Sequence, residues 1–286
     1  MNDEDYYNQY LNPNLSAGTL KQYKSQLKKL DDLLDNSISN TSQKVIIKTI
    51  KEEYMSPNTE ASLLNIAIIV FRHDGKNVDK LVVYRDQIKY KIRQHRLSRN
   101  LGLEKTLPSY EEIVAYIDNL FETEQYQKFI VNYLTFYLNV RNEDCFIKFE
   151  TTKKATKKDL TKNYLVVKKD SISYIRNVYK TFESYGVKRL EIVDKKFRKA
   201  VKEVFKTHDY LIENKDGAPV PPSAIGSYVF DMTYHKIGEG AYLKINIAYA
   251  QKQDDVFDLL RNISKRRGTD FETLLSSYNI QEKELK

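Results

Sequence analysis

Apolar residues recur at helical spacing along most of this chain. Leu20, Tyr23, Leu27, Leu30 and Leu34 follow Ser16 and Thr19, either of which can cap a helix. After a turn at 36–40, residues 42–54 place Val45, Ile46, Ile50 and Tyr54 on one face. Ser56-Pro57-Asn58-Thr59 breaks the chain and caps a third helix over 60–72. That segment is apolar nearly all round, from Leu63 to Phe71, so it is expected at the buried centre of a bundle. A turn at 73–76 leads to a fourth helix over 78–97.

Residues 98–107 lose this periodicity and read as a linker. Ser109 then caps a helix with Ile113, Ile117 and Leu120 on its face, and a second helix is expected over 125–138. Beyond a lysine run the period changes. Residues 164–168, 172–179 and 188–193 alternate and are rich in β-branched and aromatic types, which predicts strands. The first two are joined at Lys169-Asp170, and the last two through 180–187, with Gly186 in the turn. Helices are expected again over 194–205 and 224–232. Gly238-Glu239-Gly240 reads as a loop, and closing helices run to Tyr278, interrupted by a basic turn at 265–269. The fold class is mainly α with a small β-sheet (α+β). A flexible N-terminus, 1–15, precedes a helical domain, 16–97, the linker, 98–107, and a second domain, 108–286.

Composition narrows the function classes. The 286 residues are 41% hydrophobic and 30% charged, enough for packed cores and against a wholly disordered chain. Lys and Arg number 47 against 39 acids, a net charge of +8, which favours a polyanionic partner. The single cysteine, Cys145, excludes an internal disulfide and a cysteine-based metal site. His73, His95, His208 and His235 show no ligand spacing, so no metal is expected. No apolar run is long enough to span a bilayer, and the acidic start lacks a signal-peptide pattern, so the expected location is intracellular.

The order of these pieces resembles the tyrosine recombinases, the phage-integrase family. Residues 16–97 resemble its helical core-binding, DNA-binding domain, and 108–286 its catalytic domain. Asn139-Val140-Arg141-Asn142-Glu143-Asp144, after two helices, is similar to the motif of the family's first arginine. Tyr179-Lys180-Thr181 stands where the family carries a hairpin lysine, and residues 209–223 resemble the strand and loop before its second motif. Gly268-Thr269-Asp270 stands at the family's Gly-His-Ser turn, with Thr269 nine residues before Tyr278.

The resemblance implies that Tyr278 attacks a scissile phosphate and forms a 3′-phosphotyrosyl bond without any cofactor. Arg141 would clamp the phosphate oxygens and Lys180 would protonate the leaving 5′ oxygen. The family's His-x-x-Arg motif falls on Ala241 to Ile247. There Lys244 takes the His or the Arg position according to register, and no arginine is present. Arg261, Arg266 or Arg267 could supply the missing guanidinium from a shifted position. The implied partner is double-stranded DNA, with self-association on it as a dimer or tetramer. Candidate DNA contacts are Arg85, Lys89, Arg93, Arg96 and Arg99 on the fourth helix, Lys153, Lys154, Lys157 and Lys158 in the lysine run, and Arg266 and Arg267. Three outcomes stay open: a strand-transfer enzyme, a DNA-binding or architectural protein of the same kind without the chemistry, and a helical interaction protein.

Overall fold

A computed structural model of the chain describes residues 7–34, 36–53, 55–100, 103–151 and 160–278. The chain divides into two compact units, Met1–Ser98 and Arg99–Lys286.

In the first unit, α1 (Ala17–Leu33), α2 (Gln43–Glu52) and α3 (Pro57–His73) each start behind a serine. Ser16, Ser42 and Ser56 accept the backbone N–H of the residue three further on, which satisfies one otherwise orphaned donor per helix. Pro57 sits at the start of α3, where its missing N–H costs nothing. As its all-round apolar pattern predicts, α3 buries Leu63, Leu64, Ile66, Ala67, Ile68 and Val70, and α1 and α2 close over it with Leu27, Leu30, Ile46 and Ile50. Each such Leu or Ile contributes about 1.5–3 kcal/mol of burial. The fourth helix, α4 (Asp79–Asn100), buries few apolar groups, Leu81 and Ile88 among them, and exposes most of the rest of its length.

The second unit opens with α5 (Tyr110–Glu122). Ser109 and Glu112 form a reciprocal capping box there. Next, α6 (Tyr126–Asn132) runs into a π-helical turn, Tyr133–Tyr137. Four strands follow in sheet order β1 (Ile147–Thr151), β2 (Asn163–Val167), β3 (Ile172–Arg176) and β4 (Lys188–Ile192). β1 pairs parallel with β2, and the other pairings are antiparallel. A one-turn helix, α7 (Phe182–Tyr185), lies between β3 and β4 and ends at Gly186, whose φ of 63° takes the turn.

Then α8 (Lys195–Phe205), capped by Asp194, buries Phe197, Ala200, Val201 and Val204 at helical spacing. The chain returns along β1: Phe149 N–H donates to Asp209 O (2.8 Å) and Leu211 N–H to Ile147 O (2.9 Å). The outer edge of β1 is thereby covered. Three further helices follow α9 (Pro222–Met232): α10 (Gly238–Ala250), α11 (Val256–Arg267) and α12 (Phe271–Tyr278). They share an apolar cluster of their own, including Leu243, Ile247, Leu260, Ile263 and Leu274.

The fold is mostly helical with one small mixed sheet, as the period changes predict. Beyond shifts in element ends, it differs from the sequence expectation most in the following places. Residues 147–151 form a strand that the sequence reading did not assign. Gly238-Glu239-Gly240 opens α10 instead of forming a loop: Gly238, at φ 73°, makes the bend and Glu239 enters the helix tied to its neighbours. Lys265 to Arg267 is the last helical turn of α11, so the turn itself begins at Gly268. Among the described residues no helix is long and apolar enough to cross a membrane.

Candidate functional site

The C-terminal end of α11 is the place where chemistry-bearing side chains from several elements meet. A helix leaves its last carbonyls without intrahelical partners, and its dipole makes that end electronegative. Here successive carbonyls accept from side chains of separate segments. Lys188 Nζ, at the start of β4, donates to Lys265 O. Arg176 Nη1, at the end of β3, donates to Arg266 O (2.7 Å). Arg141 Nη1 donates to Arg267 O (3.0 Å), and Thr181 Oγ1 donates to Gly268 O (2.7 Å). Gly268 closes the helix in the left-handed region at φ 67°. A Cβ on it would lie 2.8 Å from Thr181 Oγ1 and 2.9 Å from Lys188 Nζ, so glycine is needed for both backbone and space.

The local folding explains why these groups converge. Behind the π turn, Asn139 adopts φ 54°, and its side-chain oxygen accepts from Asn246 Nδ2 (3.3 Å). That reversal sends Arg141 toward α11. Arg176 is fully buried and paired with Asp144, a partner supplied by the short helical turn after Arg141. Arg267 is also buried. It pairs with Glu239, which accepts the N–H of Asn142 as well. The Nε atoms of Arg176 and Arg267 and the Oδ1 of Asn142 are buried without a hydrogen-bond partner in the protein, an uncommon condition for polar atoms.

Two cations stand apart from these pairs. Among the described residues neither Arg141 nor Lys188 has a carboxylate in ion-pair contact. Burial and then the neighbouring Arg267 hold the Arg141 guanidinium below its ordinary pKa. Burial, then repulsion from Arg176 and Arg141, lowers the Lys188 ammonium to about 8. Burial pushes the Asp144 carboxyl up, against the pull of Arg176 and Arg141.

The other sequence candidates fall at varied distances from this centre. Lys180 is exposed on the β3–β4 connection, and Lys188, eight residues later, is the lysine at the helix end. Thr269 sits just beyond the cluster: its N–H donates to Ser264 O and its carbonyl accepts the Ser264 hydroxyl. Lys244 is half-buried on α10, whereas Glu239 is the α10 side chain that enters the cluster. Ile247 is fully buried in the core of the closing helices. Tyr278 ends α12, half-buried against the same core, and no hydrogen bond recorded among the described residues ties its hydroxyl to the cationic groups.

The candidate contacts divide in the same way. Arg266 directs its side chain to Tyr137 O (2.9 Å) while its carbonyl serves the cluster. On α4, Arg85 is turned to Asp86 and Asn65, whereas Lys89, Arg93, Arg96 and Arg99 are exposed. Lys153, Lys154, Lys157 and Lys158 lie outside the described residues. Sequence reasoning missed Arg176, Lys188, Asp144, Thr181 and Glu239 as site groups. One signal was available: Arg176 is a charged residue closing an apolar strand, at a position where the pattern points inward.

Fold and site together define a mostly helical protein with a small mixed sheet and a concentrated cationic centre. No family model matches the sequence, and no curated protein matches it. Among solved structures, the crystal structure of XerA recombinase is similar over 97% of this chain and 94% of that chain, with a TM-score of 0.38 and 12% sequence identity.

Proposed function

We propose that this chain binds duplex DNA and seats a backbone phosphodiester at Arg141 and Lys188. The support is a local charge excess. Arg141, Arg176, Arg267 and Lys188 gather against Asp144 and Glu239, and the carboxylates are taken up by Arg176 and Arg267. One guanidinium and one ammonium are left for an anion. A phosphodiester carries a single negative charge over two free oxygens, which suits a guanidinium fork and a neighbouring point charge. Arg141→Gln is expected to weaken duplex binding by about 1.5–3 kcal/mol, the range for a hydrogen bond to a charged group. Fluorescence anisotropy with a labelled duplex measures it, and unchanged affinity for Arg141→Gln would refute this placement of the phosphate.

A second function adds strand cleavage and rejoining, and the state of Lys188 favours it. An ammonium with a pKa of about 8 is protonated at neutral pH yet releases its proton readily, which a leaving 5′ oxygen requires. The Tyr278 oxygen would form a bond to phosphorus as the P–O5′ bond breaks. Lys188 would protonate the departing oxygen, and the phenol's own proton would go to solvent. On a nicked suicide duplex the protein should become covalently attached, and Tyr278→Phe should abolish the adduct. If the unaltered protein gives no adduct on duplexes it binds, binding alone remains.

A further inference from the structure

The two edges of the sheet are treated differently. The outer edge of β1 is covered by the segment 209–211, whereas β4, among the described residues, pairs with β3 alone. The outward N–H and C=O groups of such a strand are a template for another strand. Exposed apolar side chains gather along the same stretch: Val178, Tyr185, Val187 and Val193, the last 69% exposed. We propose that β4 pairs with β4 of a second copy of this chain, antiparallel and centred on Leu190, so that two sheets become one.

The order of charges along the strand supports a copy as the occupant. An edge is protected when its charges repel an approaching strand. Residues 187–193 instead complement their own reverse. Centred on Leu190, Val187 lies opposite Val193, Lys188 opposite Ile192 and Arg189 opposite Glu191, each twice by the two-fold symmetry. Side chains of a strand alternate between faces, and the burial of β4 alternates with them. Arg189 and Glu191 are exposed, Lys188 and Leu190 half-buried, and Ile192 buried. The outer face of the joined strands therefore carries two Arg–Glu pairs flanked by two valine pairs.

This register is set apart from its neighbours. A slip by one residue turns the core face of one copy outward. A slip by two, in either direction, sets Arg189 opposite Arg189 or Glu191 opposite Glu191, and like charges directly opposite are destabilising. Arg189 has no ion pair among the described residues, so its guanidinium is available. Lys168, Ser171 and Ser173 hold the Glu191 carboxylate against its own sheet and fix its position. Pairing needs no DNA, because the Lys188 ammonium is on the other face of β4, at the end of α11.

Sedimentation velocity of the full chain without DNA, over a concentration series, tests this. The unaltered protein should pass from monomer to dimer as concentration rises. Arg189→Glu should weaken the dimer about tenfold, since two cross-strand pairs turn repulsive. Glu191→Arg should do the same alone, and an equal mixture of the two variants should restore the dimer, because every charge then faces its opposite. Should Glu191→Arg fold poorly, cysteine placement reads the register. Leu190→Cys stands opposite its own copy and should form a disulfide-linked dimer under mild oxidation. Val193→Cys, about 20 Å from its copy along the strand, should not. A monomer at every concentration, a dimer indifferent to Arg189→Glu, or equal crosslinking at 190 and 193 overturns the pairing.

Discussion

Lys188 is the residue in which placement most changes chemistry. An unfolded lysine titrates near about 10.4, and this one is lowered to about 8 by burial and by Arg176 and Arg141. Between those values the folded chain binds fewer protons than the unfolded chain, so stability rises with pH across that window. Below about 8 the charged amine opposes folding, and the opposition fades as pH climbs toward about 10.4. The stability of the unaltered protein measured against Lys188→Met should therefore increase from about pH 8 to about pH 10 in parallel urea titrations. A flat difference would mean that the amine is not crowded by the guanidiniums. Nothing in the sequence marks Lys188 over Lys180: one opens β4, the other stands on the connection before it, and the fold alone selects between them.

At the scale of elements, the Asp144–Arg176 pair joins the turn after Arg141 to the end of β3. Both groups are removed from water, so the pair is expected to be weak as a source of net stability but costly to break. Asp144→Asn should destabilise the fold by about 3–5 kcal/mol, because it leaves Arg176 buried and charged without a counter-ion. The double replacement Asp144→Leu with Arg176→Met should recover much of that loss in chemical denaturation. A single variant as stable as the parent would show that water reaches the guanidinium. Within each unit the helices were legible from caps and spacing: Ser16, Ser42, Ser56, Ser109 and Asp194 all cap as their residue types predict. β1 was overlooked although Ile147 and Phe149 alternate with polar residues, because it is short and lies between an apolar run and a lysine run. Gly238 and Gly240 read as loop residues in the sequence, but both lie in the first turn of α10, and Glu239 between them is fixed by Arg267 and Asn142.

For the whole molecule, the net charge of +8 matters through where it lies. Lys89, Arg93, Arg96 and Arg99 form an exposed run on α4, and none of them is buried with a carboxylate as Arg176 and Arg267 are. Under the proposed function such residues would contribute to DNA affinity through counterion release, which does not depend on base sequence. The logarithm of the binding constant should fall linearly with the logarithm of salt concentration, and Lys89→Ala or Arg93→Ala should each reduce the slope by about one. Variants that leave the slope unchanged would remove α4 from the proposed DNA-binding surface.

The sequence by itself determined the helical architecture, the change to strand period in the second half, and the basic character. It also marked Arg141 and the Gly268 turn as positions of interest. These features depend on local spacing, caps and composition, which a single chain displays directly. Tertiary structure decided what surrounds Arg141. It drew Lys188, Arg176 and Thr181 from the far end of the sheet onto the last carbonyls of α11, buried Ile247, and left Lys180 in solvent. The contacts made by these side chains span roughly 77 to 126 residues of sequence. No periodicity encodes separations of that length; they are set by how a sheet edge and a helix end pack against each other.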